Sequence, residues 1–141
     1  MQRRLKVLTD YTENPGPRYI DQAPYSGEHF YISLLNKTFA ECLKAGDTLL
    51  VDLDGTSGYP SSFLDESFGE LVYDFGLDVV LEKVTIVSLR KKWKRMVETE
   101  TYPEWEQRRK DGKEPLMTEE CEVYALDKNG RLVIVRRTKC H

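Results

Sequence analysis

Long apolar runs are missing from this chain of 141 residues. No window of about eighteen apolar residues occurs, the minimum for a helix that crosses a membrane. The opening segment "MQRRLKVLTDYTENPGPR" has arginines but no apolar core of signal-peptide length, so a cytoplasmic protein with no membrane partner is expected. Cysteine is scarce and odd in number: Cys42, Cys121 and Cys140 are widely spaced and form no C-x-x-C pair. Histidine is scarcer still, at His29 and His141. These few scattered ligands exclude a structural zinc site of the usual spacing, so no metal and no cofactor are expected. Internal repeats and low-complexity segments are absent as well. Basic residues are missing from a long central stretch: positions 45–82 carry nine Asp or Glu and no Lys or Arg. The segment from Lys83 onward reverses this, with fifteen Lys or Arg against ten Asp or Glu. Such halves either face each other, face different partners, or are ordinary solvated surfaces.

What is present is an ordinary globular composition, 40% hydrophobic and 32% charged. "RRLKVLTDY" (3–11) alternates and reads as a first strand. Prolines then impose a loop. From Ser26 to Gly46, apolar residues recur every three or four positions. They predict an amphipathic helix that Ser26 caps and Gly46 closes in a left-handed turn, with Cys42 packed as a small hydrophobe. "TLLVDLD" has no helical period and reads as a central strand covered on both faces. "SSFLDESFGELVYDFG" predicts a second helix, capped by Ser61 or Ser62, with Asp65 and Glu66 complementing the dipole. Gly69 within it costs about 1 kcal/mol relative to Ala and implies close packing of helix on sheet. "KVTIVSL" (83–89) is a third strand. Alternating strands and helices imply a mostly parallel sheet with right-handed crossovers. The charged stretch after Arg90 predicts a helix broken near Pro103, and "CEVYALDKNGRLVIVRR" an antiparallel hairpin. The expected architecture is one α/β domain over 1–141, with its core at about 5–89 and a helical segment and hairpin over 90–141.

Chemistry concentrates between Leu49 and Gly69. "VDLDGT" resembles the nucleophile loop of haloacid-dehalogenase-type phosphatases. That resemblance implies attack by Asp52, acid/base work by Asp54 and a bridging Mg²⁺. Ser88 at a strand end and Lys91 or Lys92 extend the match. No "DD" or "GDxxxD" follows Leu89 to complete the metal site. The alternative role of Asp52 and Asp54 is to accept backbone N–H groups and shape the turn.

The second half is more specific. A buried strand, an acidic Gly-containing loop and paired serines opening a helix resemble STAS domains of the anti-sigma-factor-antagonist type. Together with "GPRY" (16–19) and "PYSGEHF" (24–30), the run "SSFLDESFGEL" resembles a bacterial branch described as a STAS-like domain of unknown function. The resemblance covers roughly 5–89. It implies a non-enzymatic, regulatory protein-interaction module with Ser61 or Ser62 as phosphoacceptor. The docking surface it implies comprises Asp54, Gly55, Gly58, Tyr59, Phe63, Asp65 and Glu66. The implied partner is a histidine-kinase-like ATPase or an anti-sigma-type regulator. Two departures stand out: Pro60 occupies the place of the family's Asp, and Phe63 that of its Gly. "RKKWKRM" (90–96) has the basic and aromatic character of a nucleic-acid patch. The low pI of about 5.5 and the acidic flanks favour a solvated helix face instead. Tyr102, Trp105 and Tyr124 either meet a partner or cover the sheet.

Overall fold

The computed structural model describes residues 1–140; His141, counted among the scarce metal ligands above, lies outside the described residues. Three short strands form a parallel sheet: β1 (Gln2–Lys6), β2 (Thr48–Asp52) and β3 (Val84–Val87), with β2 central. Leu5 lies beside Val51 and Val51 beside Ile86, so the buried side chains share one face. The opposite face carries Arg4, Leu50 and Thr85 in register. Arg4 and Thr85 are exposed and Leu50 is half-buried. The sheet is therefore covered on one face, which corrects the expectation of two. The cause is the strand order: consecutive crossovers of one hand place their helices on the same side.

β1 is shorter than expected, because the chain turns at Val7 into a helical turn, α1 (Val7–Asp10). The Asp10 carboxylate accepts the Lys6 N–H at 2.7 Å and fixes that bend. α2 (Gly27–Phe30), a π-helical stretch (Tyr31–Leu35) and α3 (Asn36–Ala45) run on without a break. The Ser26 hydroxyl caps this rod by accepting the His29 N–H at 3.1 Å, and Gly46 ends it at φ 72°. α4 (Ser61–Phe75) and the short α5 (Leu77–Lys83) precede β3. Beyond it, α6 (Lys91–Met96), a π-helical stretch (Val97–Thr101) and α7 (Tyr102–Lys110) also form one rod. The expected break at Pro103 does not occur. Proline sits in the first turn of α7, just after the wide turn, where its missing N–H is tolerated.

α4 is the centre of the molecule. Eleven of its fifteen residues are buried, the signature of a helix surrounded by protein rather than lying on a surface. α2 crosses it so closely that a Cβ on Gly27 would come within 2.5 Å of the Phe63 carbonyl. On another side Trp105 of α7 lies against Gly69, where a Cβ would meet the indole at 2.2 Å. Gly69 thus serves helix-on-helix packing, not the helix-on-sheet packing expected. Trp105 and Tyr102 are fully inside, so neither is offered to a partner.

The hairpin, β4 (Cys121–Leu126) and β5 (Leu132–Arg137), forms a second, two-stranded sheet. It packs on α3 and α4 through Val123, which belongs to the common core. Asn36 holds it by imitating a strand: its amide oxygen accepts the Tyr124 N–H and its amide nitrogen donates to the Tyr124 carbonyl, both at 2.9 Å.

Gly69→Ala is expected to destabilise the protein by about 1–3 kcal/mol through overpacking against Trp105. Urea unfolding would show this as a lower midpoint, partly restored in Gly69→Ala/Trp105→Leu.

Candidate partner-binding site

The loop from Leu53 to Pro60 leaves the C-terminal end of the central strand and feeds α4. Its shape is set by its own hydrogen bonds. Asp52 is 3% exposed, accepts the Asp54 N–H at 2.9 Å and pairs with Arg4. Burial pushes its carboxyl up, but the Asp54 N–H and the Arg4 guanidinium outweigh that and hold it below the ordinary aspartate value. Asp54 accepts the Leu89 N–H at 2.7 Å and ties the loop to the end of β3. Both aspartates thus accept backbone N–H groups, as turn-shaping residues do. Ser88 turns its hydroxyl to the Arg90 carbonyl at 2.8 Å. Among the described residues, no three His, Cys, Asp or Glu side chains converge to hold a metal ion.

The expected docking residues divide into two sets. Asp54, Gly55, Gly58 and Asp65 reach the surface to differing degrees. Tyr59, Phe63 and Glu66 are buried. Tyr59 donates its hydroxyl to the Leu53 carbonyl at 2.9 Å and packs edge-on against Trp93 at 4.8 Å. Phe63 stacks on Phe30 at 5.5 Å. These three support the surface from below. Trp93 is itself buried, so the basic stretch 90–96 offers no ring for base stacking.

The paired serines open α4, but neither caps it. Pro60 is the N-cap, no side chain accepts from the first turn, and Asp65 and Glu66 lie beyond that turn. Proline at this position displaces the cap that the sequence reading assigned to Ser61 or Ser62. Ser61 is exposed and Ser62 half-buried. Ser61 borders a surface hollow of about 290 Å³ with Arg18, Asp65, Glu100 and Glu104 on its walls. Arg18 crosses from the Pro-rich loop to donate to Asp65 at 2.8 Å and Glu66 at 3.0 Å. Thr101 donates to the other Asp65 oxygen at 3.1 Å.

Residues 26–92 match the family of STAS-like domains of unknown function. The STAS-like segment therefore spans the first helical rod, β2, the loop, α4 and β3. β1, most of the 91–110 rod and the hairpin lie outside the match. No curated protein and no solved structure shows a significant match to the chain.

Behind the STAS-like loop, α4 carries a feature that the sequence reading missed. Glu66, Glu70 and Asp74 recur every four residues and form a buried acidic row. Arg18 meets one end at Glu66. Arg137 of β5 meets the other at Asp74, which also accepts the Tyr31 hydroxyl. Nearby Glu28 is fully buried and accepts the Thr118 N–H at 2.9 Å, the Thr118 hydroxyl at 2.6 Å and the Ile20 N–H at 2.9 Å. Glu70 sits between the carboxylates that these two arginines meet, and among the described residues no cation pairs with it. Burial, and then the Glu66 charge, drive its carboxyl far above the ordinary glutamate value, which favours the neutral form of one of the two neighbours. Burial also raises Asp74 to about 6 against the opposing pull of Arg137. The four-residue spacing of acids on an otherwise apolar helix is the signal that could have revealed this row.

Two outcomes follow from the row. Folded Glu70 keeps its proton above pH 4.5, the ordinary value at which the unfolded chain releases it. Its contribution to stability is thus complete below that pH and is lost as pH rises toward the folded value. Urea midpoints should fall from pH 5 to pH 8, and less steeply in Glu70→Gln, whose amide keeps the donor; equal slopes would contradict the assignment. Arg137→Ala should cost about 3–5 kcal/mol by leaving Asp74 buried and unpaired. In Arg137→Ala/Asp74→Asn the loss should be smaller than the sum of the single losses.

Proposed function

We propose that this protein is a non-enzymatic regulatory module that docks a protein partner through the rim of the Asp54–Phe63 loop and the start of α4. The observation that carries this reading is Ser61, an exposed hydroxyl in the uncapped first turn of α4. Backbone N–H groups and the helix dipole favour negative charge there. A phosphate would add about −1.5 to −2 charge to a rim that already holds Asp65, Glu100 and Glu104. It would compete with Asp65 for Arg18, so modification would change both the charge and the packing that a partner meets. Ser62, half-buried, is the second candidate. The relation to STAS domains supports a kinase or anti-sigma-type ATPase as the partner class.

The second reading, a Mg²⁺-dependent phosphohydrolase using Asp52 and Asp54, rests on their place at the strand end. Their hydrogen bonds to the Asp54 and Leu89 N–H groups favour the structural role.

Partners that co-purify with the protein should bind Ser61→Ala as they bind wild type and bind Ser61→Asp at least tenfold more weakly, measured with purified components. Equal affinity for Ser61→Ala, Ser61→Asp and Ser62→Ala would remove the serines from the mechanism. Hydrolysis of p-nitrophenyl phosphate with Mg²⁺, abolished in Asp52→Asn, would replace the docking reading with the enzymatic one.

A further inference from the structure

The two edges of the parallel sheet differ in chemistry. β1, "QRRLK", bears three cations in five residues, a common device against unwanted strand pairing. β3, "VTIV", bears none. The Leu53 N–H donates to the Val87 carbonyl at 2.9 Å. By the alternation of a parallel ladder, Thr85 and Val87 then point their backbone groups at β2, and Ile86 points its N–H and C=O at the open edge. That edge faces the 91–110 rod across a groove of about 520 Å³. Lys91, Lys94, Arg95 and Glu98, spaced as one helix face, form the far wall. A further β–α–β crossover would place its next strand beside β3. Here the next strand, β4, pairs with β5 instead, and among the described residues no strand pairs with the outer edge of β3. Leu89, 87% exposed, lies just past the end of the strand.

We infer that the β3 edge accepts an extended acidic segment of a partner protein as a fourth strand, held by main-chain hydrogen bonds and by Lys91, Lys94 and Arg95. The charge of the groove selects the occupant. Three cations against one acid favour glutamate- or aspartate-bearing strands. A second copy would bring its own three cations against these. Ser61 does not line this groove, so this inference and the docking role of the α4 start are tested by different variants.

The test uses a fluorescent peptide of alternating Glu and Val, its Lys-for-Glu counterpart, and the Glu peptide N-methylated at alternate amides. Anisotropy with the full chain at low salt should show binding of the Glu peptide, weakening as NaCl rises. The Lys and N-methylated peptides should bind at least tenfold more weakly. Lys94→Glu/Arg95→Glu, checked for an unchanged urea midpoint, should lose at least tenfold in affinity, and the Ile86 amide should exchange more slowly with peptide bound. Absence of binding at millimolar peptide would overturn the proposal, as would equal binding of the N-methylated peptide. Tighter binding of a single-stranded oligonucleotide of equal charge would assign the groove to nucleic acid. A dimer in sedimentation that the peptide does not dissociate would assign it to a second copy.

Discussion

The fold depends on burying α4 on every side while it carries Glu66, Glu70 and Asp74 on one row. Desolvating three carboxylates is costly unless each is paired, hydrogen-bonded or protonated. The chain meets this from three directions. The Pro-rich loop delivers Arg18, the end of the hairpin delivers Arg137, and burial drives the Glu70 carboxyl toward its neutral form. Segments remote in sequence are therefore tied to one helix, and the hairpin, outside the STAS-like match, becomes part of the same core.

This arrangement bears on the proposed docking role because it sets what lies beneath the loop. Tyr59, Phe63 and Glu66 are buried beneath Asp54, Gly55, Gly58 and Ser61, the residues of the proposed docking rim. A modification at Ser61 would reach the acidic row through Arg18, which bonds both Asp65 at the surface and Glu66 within. The β3 edge lies next to the same loop, tied to it by the Asp54 bond to Leu89.

Much of this was legible in the sequence. The order of strands and helices, the parallel pairing, the Ser26 and Gly46 caps and the hairpin all follow from local pattern and turn chemistry. Three kinds of feature were not. Coverage of the sheet on one face depends on crossover geometry, which "TLLVD" alone does not encode. Pro60 as the cap of α4 inverted a residue-type expectation, because the serines on either reading suit a helix start. The pairings of Asp74 with Arg137 and of Glu66 with Arg18 join positions far apart in the chain, and no spacing rule connects them. The acidic row itself was visible as a four-residue repeat, but Glu66 was assigned to the helix dipole. The opposition of an acidic centre to a basic C-terminal third proved informative at one buried contact, Asp74 with Arg137, while most of the remaining charge is on the surface.

The most direct measurement is a carbon-detected NMR titration of the Glu70 side-chain carboxyl in the folded protein. A carboxyl that titrates well above the ordinary glutamate value, together with its neighbour Glu66, is the predicted result. Titration near 4.5, the ordinary glutamate value, would contradict the account of how α4 is buried.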